Sequence, residues 1–254
     1  MDSKRVAALI ALSLTGAIAT VAANPAPHTT ARSCATVLQS QVCTWAVMDG
    51  DRPVELDATV PMALVQAVPA DAEMVWPPKE LASVPLPAEA KKALGIDHLG
   101  INWEAHGHPP AHFMEPHFDF HFYNITQSQV GAIDCSDDAK PGVLPAGYAL
   151  PDVDVPGLGT LVGLCVPLMG MHAMEESETR DPAPFQASLM LGYYAGKPIF
   201  FEPMVSRARL LQGADFELDV PAVDDLPAGV RYPTTMRAVY DPAQKEYRLV
   251  LTGF

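Results

Sequence analysis

Five of the chain's eight histidines fall in one stretch, HGHPPAHFMEPHFDFHFY, running from His106 to Tyr123. Imidazole is a common protein ligand for transition metals, and carboxylates often complete the set. The end of this stretch alternates strictly. His117, Asp119, His121 and Tyr123 share one side of an extended segment, while Phe118, Phe120 and Phe122 share the other. The phenylalanines define a core face, which leaves the polar face for chemistry. A strand rises ~3.3 Å per residue, so His117 and His121 stand roughly 13 Å apart along it. One ion reaches both only if the strand bends or His117 leans in; otherwise only one of them binds it. Asp119, midway, is either a ligand or the group that orients an imidazole.

The remaining ligands must come from elsewhere in the chain. His172, in PLMGMHAME, follows an apolar run and a glycine, which suits delivery into a barrel mouth. Glu202, in FFEPM, is a carboxylate on an apolar strand, and a buried charge is costly unless it is paired or metal-bound. Taken singly, each has a plainer explanation. His172 would be a hydrogen-bonded structural residue, and Glu202 would pair with Arg207 or Arg209. Together, His117, His121, His172 and Glu202 predict a site for a divalent metal ion. Zinc comes first, and iron, manganese or copper accept similar ligands. Glu202 is the fourth ligand or, if the ion keeps a water, the general base acting on it. Asp119 steadies the site, and Tyr123 donates a hydrogen bond to a bound group. His106, His108 and His112, flanked by Gly107 and prolines, are expected to be loop residues bonded to backbone. Met114, Met169, Met171 and Met174 place soft sulfur nearby. They form no repeated motif and are expected to fill irregular core space.

The elements that must carry these residues are mostly strands. The chain holds 25 prolines, about twice the usual share of ~5%. Proline interrupts helices and central strands, so short strands, many loops and short helices are expected. Alternation on both sides of Asp49-Gly50 predicts a hairpin. PMALVQAVP and PAEAKKALG predict short helices opened by Pro61 and Pro87, the second stopped by Gly95. TQSQVGAI predicts a helical turn capped by Thr126. Residues 134–158 read as loop, and GTLVGLCVPLMGMH as one buried strand. Two strands are expected around Ala195-Gly196-Lys197, and a terminal hairpin at Asp241-Pro242. The count favours a mainly β fold, a barrel or a sandwich, with a few short helices.

The apolar run VAALIALSLTGAIATVAA after Lys4 and Arg5 predicts a signal peptide over 1–23, followed by a flexible leader over 24–33 and one β-rich domain over 34–254. No later stretch is long and apolar enough to span a bilayer, so the mature protein is expected to be periplasmic or secreted, without membrane insertion. The full chain's 30 acidic against 16 basic side chains, a formal charge of −14, argue against nucleic-acid binding. Four cysteines in an oxidising compartment suggest two disulfides. Three pairings are open, and the nearest in sequence is Cys34–Cys43 with Cys135–Cys165. No nucleophile elbow, phosphate loop or dinucleotide fingerprint occurs.

The strings GHPPAHFMEPHFDFHFY, VPLMGMH, GYYAGKPIFFEPM and YPTTMRAVYDPAQKEYRLVLTGF resemble an exported bacterial family of unknown function, whose signature is the PHFDFHFY strand. That family includes a Thermus protein controlled by an extracytoplasmic-stress sigma factor. The resemblance spans roughly residues 45–254. It implies a β-rich fold that assembles into a closed homo-oligomer, and one site formed by His117, Asp119, His121, His172, Glu202, Pro203 and Met204. It supplies no reaction. The segment AMEESETRDPAPF after His172 departs from the pattern, in which an aromatic and an aspartate follow the histidine. Two expectations result. One is a metal site open to a small-molecule ligand, used for hydrolysis or a similar conversion. The other is a non-enzymatic oligomeric binding or structural protein, whose His, Asp and Glu groups form a hydrogen-bonded network.

Overall fold

The structure is a computed structural model that describes residues 26–180 and 183–254. The expected signal peptide lies outside those residues. In chain order the first elements are β1 (His28–Thr29), β2 (Ser33–Val37), β3 (Ser40–Asp49), β4 (Arg52–Pro61) and α1 (Met62–Ala67). Then come β5 (Glu80–Pro85), α2 (Ala88–Leu94), β6 (His98–Glu104), β7 (His117–Tyr123) and α3 (Gln127–Val130). Short pieces follow: β8 (Tyr148–Ala149), β9 (Val153–Val155), β10 (Gly159–Leu161) and β11 (Met171–Glu175). The chain closes with β12 (Ala187–Tyr194), β13 (Lys197–Ser206), α4 (Arg207–Leu210), β14 (Phe216–Asp219), β15 (Thr235–Asp241) and β16 (Glu246–Thr252).

Two open antiparallel sheets carry the fold. One runs β1-β3-β4-β16-β15-β14, with β2 also paired to β3, and the other runs β5-β6-β7-β13-β12-β11-β8. A two-stranded ribbon of β9 and β10 makes a third, small sheet. The main core joins Val42, Ala46, Leu56, Ala58 and Leu249 of the first sheet to Leu99, Ile101, Phe118, Phe120, Phe122, Phe201 and Val205 of the second. This is a sandwich, with inward-facing residues of both sheets interdigitated. The expectation of a mainly β fold, barrel or sandwich, holds in its sandwich form.

Local chemistry explains the element ends. Ala195 and Gly196 both take positive φ, 49° and 69°, as a two-residue hairpin turn requires. Gly95 caps α2 at φ 67°, and its N–H bonds the Lys91 carbonyl. Thr126 caps α3 through a reciprocal box with Gln129. Both disulfides are present, Cys34–Cys43 and Cys135–Cys165. Bonds of this kind belong to oxidising compartments. Among the described residues no helix is long and apolar enough to cross a membrane.

Three expectations need correction. Part of the leader is sheet: His28 and Thr29 pair with Met48 and Val47, and Ser33 opens β2. Residues 159–172 are not one strand. Gly163 at φ 59° and Gly170 at φ 123° turn the backbone away from extended geometry, so β10, a 3-10 turn (Val162–Leu164) and a tight loop precede β11. Finally, the polar face of β7 does not line a barrel. It lies on the outer side of the second sheet, away from the main core, beneath the loops that cross that side.

Candidate functional site

The register of the second sheet places the polar residues side by side. On β6, Gly100 stands opposite His121, Asn102 opposite Asp119, and Glu104 opposite His117. On the other flank of β7, the pairs Phe201–Phe122 and Met204–Asp119 bracket Glu202 and bring it beside His121. Glu202 pairs with Met190 of β12, and His172 of β11 pairs with Gly192 of β12. Gly192 supplies no side chain, so the Phe200 ring lies across it; an added Cβ there would sit 2.0 Å from Cε1 of that ring. Phe200 packs edge-on against His121 at 4.8 Å and tilted against His172 at 5.2 Å, forming an apolar floor between them.

Two groups of ligand atoms result. His121, His172 and Glu202 are all buried, and one ligand atom from each lies within 4.8 Å of the others. Nε2 of His121 is 3.6 Å from Glu202 Oε1, and Nε2 of His172 is 3.9 Å from Glu202 Oε2. Neither ring nitrogen of His121 has a hydrogen bond, nor has Oε2 of Glu202. Nδ1 of His172 lies 3.1 Å from the Leu164 carbonyl. A carbonyl only accepts, so Nδ1 carries the proton and the Nε2 lone pair faces the carboxylate.

The second group is His108, His117 and Asp119. The extended strand did not bend to bring His117 and His121 to one centre; each turned to its nearest neighbours instead. His117 Nδ1 donates to the Glu115 carbonyl at 2.6 Å, and its Nε2 sits 3.2 Å from Asp119 Oδ1. That approach is close enough for charge attraction but lacks hydrogen-bond geometry, so both atoms remain without a bond.

The electrostatics separate the two groups: His121 and His172 favour the neutral imidazole, and His117 favours its proton. Burial, only partly offset by the Asp119 carboxylate, pushes His121 down to about 3. Burial likewise lowers His172, against the pull of its bond to the Leu164 carbonyl. For His117 burial again opposes the proton, but the Asp119 carboxylate outweighs it and raises its pKa. Burial, then the nearby Asp119 carboxylate, drives Glu202 well above the ordinary range. This buried carboxyl and the two unprotonated imidazoles beside it offer a ligand set that could hold a metal ion.

Tyr123 stacks on His121 at 5.3 Å and on His98 at 5.0 Å. It also lines a cleft of about 680 Å³ with Trp76, Glu80, His98, Asn102 and Met169. Arg207 and Arg209, the alternative partners of Glu202, are engaged elsewhere, on the carbonyls of Val65 and Asp215. Met174, Met190 and Met204 join Phe113, Leu164 and Phe185 in an apolar cluster on the site's side of the sheet.

His106 and His112 stay in the loop. His106 is exposed, with Nε2 3.0 Å from the Ala72 carbonyl, and His112 packs edge-on against Phe113 and Phe185. His108 is also a loop residue bonded to backbone, at the Pro109 carbonyl, but it stands over His117 as well, with ring centroids 4.8 Å apart. The hairpin register carried the signal for this. Glu104 and His117 face each other, so a histidine just beyond Glu104 returns over the same end of the polar face.

These features define a β-sandwich with paired histidine–carboxylate clusters on the outer face of one sheet. Comparison with known proteins finds no matching family model, no matching curated protein and no matching solved structure.

Proposed function

We propose that the protein binds a divalent metal ion, zinc foremost, through His121, His172 and Glu202, and presents it with one open position to a small molecule. The carrying observation is the set of buried ligand atoms without hydrogen bonds: both nitrogens of His121 and Oε2 of Glu202, facing a His172 whose tautomer is fixed. Two imidazoles and one carboxylate form the ligand set of zinc sites that keep a water. When bound, such a metal would lower the pKa of a water and supply hydroxide for hydrolysis. The chain's own groups then have distinct parts. Leu164 holds the imidazole of His172, Phe200 keeps the floor of the site apolar, and Tyr123 stands between His121 and the cleft, where it can meet a bound molecule. The competing idea of a hydrogen-bonded His/Asp/Glu network has less support, because the atoms it would have to satisfy are unsatisfied.

The test is elemental analysis of untagged protein beside His172→Ala and Glu202→Gln. Metal bound in wild type and reduced by one equivalent in each folded variant supports the reading. Unchanged metal content in both variants ends it.

A further inference from the structure

We propose that His108, His117 and Asp119 hold a second divalent metal ion, with Glu104 across the hairpin as its fourth ligand. This centre stands on its own residues and does not depend on the His121 site. One ligand atom from each of His108, His117 and Asp119 lies within 4.8 Å of the others. His108 Nδ1 donates to the Pro109 carbonyl at 2.8 Å, and His117 Nδ1 donates to the Glu115 carbonyl at 2.6 Å. Each Nδ1 is thereby committed to a carbonyl, which leaves each Nε2 as the nitrogen a cation would take, in place of any proton His117 holds against Asp119. Nε2 of His117 and Oδ1 of Asp119 are buried and face each other at 3.2 Å without hydrogen-bond geometry. Buried polar atoms are satisfied in the great majority of cases, so a pair left open at the meeting point of two imidazoles points to a missing ligand.

The connection between β6 and β7 is built to deliver His108. Its N–H bonds the Phe113 carbonyl at 3.1 Å, and the Gly107 N–H bonds the Glu104 carbonyl at 3.3 Å. Gly107 takes φ 65°, and a Cβ there would meet the Phe113 carbonyl oxygen at 2.2 Å, so the turn requires glycine. Phe113, fully buried, anchors the far end of the loop in the apolar cluster on this side of the sheet. Glu104 stands directly opposite His117 on the same face. Two imidazoles and two carboxylates suit zinc, manganese or iron(II). Asp119 and His121 are alternate residues of one strand, so the two ions would be neighbours on a single face.

The test is a zinc titration of the full, untagged chain after chelator stripping, read by competition with a chromophoric chelator and repeated with cobalt(II) for its absorption spectrum. Wild type is expected to take up two equivalents. His108→Ala and Asp119→Asn are each expected to take up one, with the cobalt spectrum of the remaining site retained. Gly107→Ala, which displaces the loop without removing a ligand, is expected to weaken the same equivalent at least tenfold. Circular dichroism of the metal-free variants checks their fold; His108 is on a loop and only partly buried, so its loss should leave the sheet intact. Retention by both His108→Ala and Asp119→Asn of all the metal that wild type binds overturns the proposal. Failure of the His121 reading looks different: His172→Ala would then keep all the metal that wild type binds.

Discussion

Removing the Cys135–Cys165 disulfide should weaken both the fold and the metal site, and for separate reasons. The bridge spans 30 residues. The chain-entropy relation gives about 3.6 kcal/mol for a closed loop of that size, and about 2.6 kcal/mol for the 9-residue span of Cys34–Cys43. For a chain of this length each kcal/mol moves the midpoint by about 2–4 °C, so Cys135→Ser/Cys165→Ser should melt roughly 10 °C lower. The second effect is local. Cys165 follows Leu164, whose carbonyl holds the Nδ1–H of His172. Backbone bonds also hold this segment, among them Gly163 N–H to Asp152 Oδ1, Cys165 N–H to the Val162 carbonyl, Val166 N–H to the Gly170 carbonyl and Leu168 N–H to the Ile133 carbonyl, but the disulfide is its covalent tie. Loosening an orienting partner of a metal-binding histidine typically costs about 10–100-fold in metal affinity. The assay pairs thermal unfolding of the metal-free protein with a zinc titration of the folded protein. Cys34→Ser/Cys43→Ser, on the other sheet, is the control: a lower midpoint with unchanged zinc affinity. If both double variants bind zinc as wild type does, or if both lose affinity equally, the argument that the Leu164 segment positions His172 is wrong.

Gly192→Ala should disturb the site from beneath. Its new Cβ would fall 2.0–2.2 Å from three atoms of the buried Phe200 ring, so the ring must shift against His121 and His172. Overpacking of this kind costs about 1–3 kcal/mol, and zinc affinity should drop with it; an unchanged affinity would show that the ring does not set the ligand spacing. Phe120→Ala tests the opposite face. It should cost about 3–5 kcal/mol in denaturant unfolding yet leave metal stoichiometry intact, because its side chain points into the main core. Asp57→Asn should flatten one component of pH dependence. Burial, then the Glu55 carboxylate, raises Asp57 to about 8 despite the Arg248 guanidinium 3.1 Å away. For an acid whose folded pKa is raised, the contribution is fully present below about 4 and is lost as pH rises through about 8. The stability of Asp57→Asn relative to wild type should therefore be higher at pH 9 than at pH 5, and an equal gap at both would refute it.

The alternation His117-Phe118-Asp119-Phe120-His121-Phe122-Tyr123 was enough to assign the strand, its core face and its polar face. The positive-φ turn at Ala195-Gly196 and the caps at Gly95 and Thr126 were also legible, because local sterics fix them whatever the rest of the chain does. What the sequence hid is long-range. Which side of the second sheet meets the first depends on packing between distant strands, so the expected barrel mouth became an outer face. The run 159–172 looked continuous in hydropathy, yet Gly163, Gly170 and the Cys135–Cys165 link break it. The roughly 13 Å between His117 and His121 was visible beforehand as an obstacle to one shared centre. Its resolution, one neighbour set for each histidine, needed the Glu104–His117 register to bring His108 back over the strand.

β7 also stakes two incompatible jobs on counting by twos. Deleting one codon between Pro116 and Tyr123 would exchange the two sides of every residue beyond the cut. Aromatic rings would then occupy the seat proposed for the cation, and imidazoles and a carboxylate would be driven into the oil between the sheets. Nature can alter the identity of single residues here, but it has no room to change their number.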